Sequence, residues 1–343
     1  MKAKFFLLKV LILFVALENV QAQSTTDTKQ QFMFLGDFSL ENGQKILDCK
    51  IGYRTFGKQN ADKSNAIIFL CGAVENTAMM QSLIPGIIVD TTKFYLVLID
   101  AFGNGYSSSP SNSTKQPRLE FPQFTISDMV ESQYKMLTEK MGIHHLAAVA
   151  GMSMGGLQTL QWAVSHPDFM EKALPVAATP QLTSYDLLCF STVLQAIKSD
   201  SAYRNGNYKG KPALSLASRI VQMVNSSPEY VTNHVPRDSF YTWYATVPNQ
   251  MAQVVDWNNL VRQLEAVVKH DITKTTHGSL EEAAKAIKAK TLIIVVKQDH
   301  SVNPILSKKF ATMINAQFME IDNEAGHSTE ELPFDAMREF LDN

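Results

Sequence analysis

Only three cysteines, Cys49, Cys71 and Cys189, occur in 343 residues. They are too few and too scattered for a disulfide framework or a zinc site with paired ligands. No metal is expected. A basic surplus is missing as well, since 31 Lys and Arg stand against 33 Asp and Glu, and no lysine or arginine cluster or aromatic RNA-binding signature occurs. Nucleic acid is therefore not an expected partner. The chain has no internal repeat and no low-complexity segment, and after its first residues no apolar run long enough to span a bilayer. What remains is an ordinary globular balance, 45% hydrophobic and 19% charged, with length for one large domain carrying an insertion, or for two domains.

The N-terminus reads as a targeting segment. Lys2 and Lys4 precede an apolar stretch from Phe5 to Leu17, and Val20-Gln21-Ala22 ends in a small residue before Gln23. This is the pattern of a secretory signal peptide cleaved after Ala22. The competing reading, an uncleaved membrane anchor, is weakened by Lys9 inside the stretch and by a length short of the roughly 20 residues a spanning helix needs. Removing residues 1–22 takes away Lys2, Lys4, Lys9 and Glu18 and leaves 28 basic and 32 acidic residues on 321. A periplasmic or secreted protein without stable membrane insertion is expected. Residues 23–34 are expected to form a flexible leader.

From there short apolar runs alternate with amphipathic stretches, the pattern of a mostly parallel sheet with helices on both faces. Phe38 to Leu40 and Ile46 to Tyr53 read as a hairpin across Glu41-Asn42-Gly43, with Asn-Gly supplying positive φ angles. Ala66 to Leu70, Phe94 to Ile99, Leu146 to Ala150, Ala173 to Ala177, Thr291 to Val296 and Phe318 to Ile321 read as buried strands. Thr125 and Asp128 suggest a capping box for a helix that ends at Gly142. Gly155 to Ser165 and Leu280 to Ala289 also read as helices. Residues 181–271 break this rhythm and are too long for a plain connection. They are expected to form a helical lid on a core of residues 35–180 and 272–343.

The strongest local signal is Gly151-Met152-Ser153-Met154-Gly155, directly after a strand and directly before a helix. In that setting G-x-S-x-G presents the serine on a sharp, strained turn above the sheet, and the glycines permit close packing. A serine nucleophile needs a base and an acid that orients the base, in the chain order Ser, acid, His. Asp299 follows the strand Thr291 to Val296, and His327 follows the strand Phe318 to Ile321. Ser153, Asp299 and His327 are the expected triad. His300 adjoins Asp299 too closely to pair with it, Asp322 is close in sequence to His327, and His144, His145 and His166 fall at helix or strand ends. Glu75 and Glu324 read as solvated. The expected oxyanion donors are the N–H of Met154 and, from the loop Cys71 to Asn76, the N–H of Ala73. Cys71 reads as a buried thiol, with no nearby base to ionise it.

These residues carry a resemblance. From about Leu35 to the C-terminus the chain resembles the homoserine O-acetyltransferase family of α/β-hydrolase-fold enzymes, through Gly52-Tyr53-Arg54-Thr55-Phe56-Gly57, Val149 to Trp162, Gln195-Ala196-Ile197 with Asp200, Gly206-Asn207-Tyr208, Asp299 and Gly326-His327. The resemblance implies an α/β-hydrolase fold, the same triad, a helical lid over a deep acyl-transfer site, and a homodimer through the lids. It also implies an aspartate after the catalytic histidine as partner for a substrate ammonium, where this chain has Ser328. An arginine for the substrate carboxylate belongs near Arg219. The oxyanion loop lacks the histidine often found there.

Two enzyme readings and one bland one follow. The first is an exported serine hydrolase that cleaves a small-molecule acyl ester, or in second place an amide, through an acyl-enzyme, with no cofactor. The second is an acyltransferase on the same triad, the only reading that brings in acetyl-CoA or another acyl-CoA. Export separates the site from cytoplasmic metabolites and favours the first. The third, a non-catalytic binding module, sits poorly with a complete and correctly ordered triad. Tyr185, Phe190 and Trp243 are candidates for the pocket wall.

Overall fold

The computed structural model describes residues 29–276, 278–329 and 331–343. The segment 1–22 and the start of the leader lie outside the described residues. The leader ends sooner than expected, because β1 spans Gln31–Ser39 and pairs antiparallel with β2, Lys45–Phe56, from Gln31 opposite Tyr53 onward. Residues 31–34 are thus strand; their ladder to β2 is a long-range pairing that local composition does not reveal. In the connection, Leu40 N–H bonds to Gln44 O and Gly43 N–H to Leu40 O. Only Gly43 takes a positive φ, +82°. The expected second one, at Asn42, is not needed in a loop of this length.

The remaining strands are β3 (Ala66–Leu70), β4 (Tyr95–Ile99), β5 (Leu146–Met152), β6 (Met170–Val176), β7 (Lys290–Val296) and β8 (Gln317–Ile321). They form one eight-stranded sheet in the order β1-β2-β4-β3-β5-β6-β7-β8, parallel from β4 to β8 and antiparallel at β1 and β2. β3 has β4 on one side and β5 on the other. Strand order therefore reverses at β3, and the loops after β3 and β5 open onto the crevice where parallel sheets hold ligands. All five residues of β3 are buried, each large aliphatic among them contributing about 1.5–3 kcal/mol.

Helices cover both faces. α1 (Thr77–Met80) and α2 (Ile126–Lys135) are followed by α3 (Met154–Ser165), and α2 starts with the expected Thr125–Asp128 capping box. After β6 come the helices α4 (Ser184–Ser199), α5 (Ser215–Asn225), α6 (Pro228–His234), α7 (Phe240–Val254) and α8 (Trp257–Val268); α9 (Leu280–Ala286), α10 (Pro304–Met313) and α11 (Phe334–Asp342) return to the sheet. A bridge between Gln181 and Asp271 closes the base of the α4–α8 insertion. The insertion has its own apolar cluster around Val193, Ile197, Tyr203, Leu214, Trp257 and Val261. Phe190 packs against both this cluster and that of the sheet. α8 is also tied to the core by polar contacts: Arg262 donates to the carbonyls of Leu119 and Phe121, and Asn259 bonds to Ser111. No helix among the described residues is long and apolar enough to cross a membrane. The three cysteines are buried free thiols.

Candidate active site

Ser153 sits between the end of β5 and the start of α3 with φ +54° and ψ −124°, a backbone conformation rare for any residue but glycine. Holding it costs about 1–3 kcal/mol, and the surrounding glycines make the turn sterically possible. A Cβ on Gly155 would lie 2.1 Å from Leu70 O, one on Gly156 2.6 Å from the Ala178 Cβ, and one on Gly151 2.5 Å from the Gly155 backbone. The motif is thus a record of three close approaches that bring α3 against β5 and its two neighbours, β3 and β6. The N-terminus of α3 then faces the crevice with Ser153 at its head.

The two other expected residues meet the serine there. Asp299, in the loop after β7, is 3% exposed, and its Oδ1 accepts the N–H groups of Ser301 and Val302 at 2.8 Å each. Its Oδ2 lies 2.6 Å from His327 Nδ1, and His327 Nε2 lies 2.9 Å from Ser153 Oγ. Burial disfavours the imidazolium, but the charge and hydrogen bond of Asp299, with a further pull from Glu75, outweigh it and raise the His327 pKa above the ordinary histidine value. The chain can therefore take a proton from Ser153 onto Nε2 and hold the resulting cation against Asp299. The competing candidates lie elsewhere. His300 packs its ring near Tyr185, the exposed Asp322 pairs with Lys297, and His145 and His166 pair with Glu171 and Glu131. Glu324 is not simply solvated: it accepts from Asn233 and faces His234, pinning α6 to the loop that carries His327.

The loop after β3 is the second half of the site. Gly72 N–H donates to Glu75 Oε2 at 2.7 Å, Val74 N–H to Gln263 Oε1 at 3.0 Å, and Thr77 N–H to Asp100 Oδ1 at 2.8 Å, while Asn104 Nδ2 donates to Glu75 O. Among the described residues, the N–H groups of Ala73 and Met154 have no protein acceptor. Both residues line the same cavity as Ser153. Val74 is held at φ +56°, an unfavourable region for a β-branched residue. Its clamp, Gln263, is fully buried on α8, with Nε2 donating to Phe102 O at 3.1 Å. Sequence reasoning missed Gln263, since nothing marks it among the polar residues of an amphipathic helix. It also misread Glu75, which lines the cavity; burial pushes its carboxyl above the usual glutamate range against the pull of Gly72 N–H and His327. Burial likewise pushes the Cys71 thiol well up.

The cavity, about 1070 Å³ with its open part included, is mostly apolar, with Leu157, Phe190, Val193, Val221, Met251 and Leu264 in its walls. Ser328 lines it beside His327. Arg219 does not: its guanidinium stacks 3.7 Å from the Tyr244 ring and donates to Tyr244 O. The resemblance places an arginine for a substrate carboxylate near this position; in this structure the contact holds the Arg219 side chain on α7, away from the cavity wall. Of the three aromatic candidates, Phe190 lines the wall, and Tyr185 and Trp243 are absent from it.

This sheet, elbow and lid define an α/β-hydrolase-fold enzyme, and the family model described as the alpha/beta hydrolase fold matches residues 65–330. The chain belongs to that family, in the group that joins esterases to homoserine O-acetyltransferases. It is 30% identical over 308 residues to an ethyl acetate hydrolase of Pseudomonas veronii, covering 85% of this chain and 87% of that protein. To a homoserine O-acetyltransferase of Methanosalsum zhilinae it is 32% identical over 335 residues, covering 85% and 67%. The solved structure of the acetyl esterase MekB superposes with a TM-score of 0.84 at 27% identity, over 92% of this chain and 97% of that one.

Proposed function

We propose that the chain is an exported serine esterase acting on small acyl esters through a covalent acyl-enzyme. The observation that carries this reading is the continuous hydrogen-bonded line Asp299–His327–Ser153 opening into an apolar cavity. In the first half-reaction Ser153 Oγ attacks the ester carbonyl as its proton passes to His327 Nε2. The oxygen that becomes negative is held by the N–H groups of Met154 and Ala73, donors already oriented and needing no reorganisation. Collapse expels the alcohol, which leaves with the proton from His327. Water then gives a proton to Nε2, attacks the acyl carbon, and releases the acid and Ser153. No cofactor takes part.

A second reading is transfer of the acyl group to an alcohol, with an acyl-CoA as donor. The enclosing α4–α8 lid and the acetyltransferase among the relatives favour it. Ser328 in place of the ammonium-binding aspartate, and Arg219 turned onto Tyr244, count against a homoserine acceptor. Pairing of two copies through the lids belongs to the same family picture and is supported by the exposed Leu216, Met223 and Tyr241 on α5 and α7. Export rests on the signal-like residues 1–22, and the mature protein isolated from its own cell should begin at Gln23 by N-terminal sequencing.

The decisive assay offers acyl esters of increasing chain length to the purified protein with and without alcohol acceptors. Free acid as the only product supports the esterase; a new ester as the main product supports transfer. Ser153→Ala should retain the fold and lose both turnover and fluorophosphonate labelling. Persistence of both would overturn the assignment of Ser153. Ser328→Asp sharpens the choice, since a rise in homoserine use would identify position 328 as the switch between acceptors.

A further inference from the structure

Charge around the cavity is distributed unevenly. Its lining includes Glu75 and His327 but no lysine or arginine. Behind it, the charge of Asp299 is answered by His327 and by two backbone N–H groups. Glu75 has no such answer. One of its oxygens accepts from Gly72 N–H, and among the described residues no lysine or arginine pairs with it and Oε1 accepts no hydrogen bond. Among the described residues the one cation within its reach would be a protonated His327, which must be neutral to accept the proton of Ser153. Glu75 also lines a second cavity of about 530 Å³, walled by Met79, Met80, Leu83, Ile84 and Met337 and adjoining the first at Glu75 and Met152. The carboxylate therefore stands at the junction of two apolar spaces, two residues from the proposed oxyanion donor Ala73.

Burial disfavours the ionised form of Glu75, and a cation that reached it would draw the carboxyl into that form and pair with it. No lysine or arginine among the described residues lines the cavity, so a substrate that brings its own positive charge gains a partner there, and one that brings a carboxylate is repelled. We propose that Glu75 makes this cavity a recognition site for esters carrying a positively charged amine. The inference rests on the esterase reading of the same cavity and narrows its substrate class. It also separates the chain from amino acid acceptors, which would bring a carboxylate with the ammonium while Arg219 is held on α7.

Acetylcholine and 3,3-dimethylbutyl acetate have nearly the same shape and differ in charge. The expected kcat/KM of the native protein favours the cation about tenfold or more, the scale of one charge-assisted contact. In Glu75→Gln, which keeps an acceptor for Gly72 N–H, that ratio should fall towards one. The ratio is the readout because loss of the loop brace would slow both esters alike. A native ratio of one or less, or a ratio that survives Glu75→Gln, overturns the proposal. Calorimetric binding of the same two esters to Ser153→Ala, with and without Glu75→Gln, measures the preference without turnover. Cation-selective binding to Ser153→Ala that Glu75→Gln abolishes would uphold the Glu75 site even if neither ester were hydrolysed and the esterase reading failed; unselective binding with brisk hydrolysis would do the reverse.

Discussion

Two loops at the ends of neighbouring strands each hold a non-glycine residue in left-handed backbone, and they do so by different means. Ser153 at φ +54° is held by packing: Gly151, Gly155 and Gly156 let strand, helix and the next strand approach until no Cβ would fit. Val74 at φ +56° is held by hydrogen bonds, with Glu75 and Gln263 accepting the loop N–H groups on either side of Ala73. The first device is local and rigid. The second reaches across 189 residues to the lid, so the proposed oxyanion hole depends on α8 being docked.

If that contrast is right, the two loops should fail differently. Gly155→Ala drives a Cβ against the Leu70 carbonyl, a backbone atom that cannot step aside. The expected result is a loss of about 3 kcal/mol or more in denaturant unfolding, with activity falling because the protein unfolds. Gln263→Leu should leave a folded protein whose kcat is lower by on the order of 10²-fold while KM moves much less, since the lost element acts on the oxyanion. Equal changes in kcat and KM would contradict the clamp. Val74→Gly removes the strain and adds chain entropy, terms that offset to within about 1 kcal/mol. Stability should hold while kcat drops several-fold.

The smallest expected effect is on pH dependence, and it joins the two loops. In the proposed mechanism His327 acts as a neutral base, and its pKa is raised against the effect of burial, by Asp299 foremost and by Glu75 next. The rate should rise with pH through a midpoint above the ordinary histidine value of about 6.5. Glu75→Gln removes one raising charge and should move that midpoint to lower pH. An upward move would contradict the placement of Glu75 beside His327.

What could be read from the sequence follows the same division. The Ser153 turn is legible because close approach forces glycine, and glycine is visible. The strands of the sheet were found to within a few residues because burial on both faces leaves continuous apolar runs such as Ala66 to Leu70. Asp299 and His327 were legible from chain order and from their place after strands. The start of β1 was hidden because Gln30 and Gln31 look like a leader until β2 and Asp100 supply partners. Gln263 was hidden because its function is a contact made in space. Glu75 looked solvated because a carboxylate is usually so, and only the cavity on both sides of it says otherwise.

The central claim is that Ser153 carries the acyl group. Rapid quenching of the protein with a slow acyl ester, followed by intact mass and peptide mapping, tests it directly. The expected result is one acyl group on Ser153, absent from Ser153→Ala and accumulating more slowly in His327→Ala. Turnover of the ester with no acyl group on Ser153, or with the label on another residue, would contradict it.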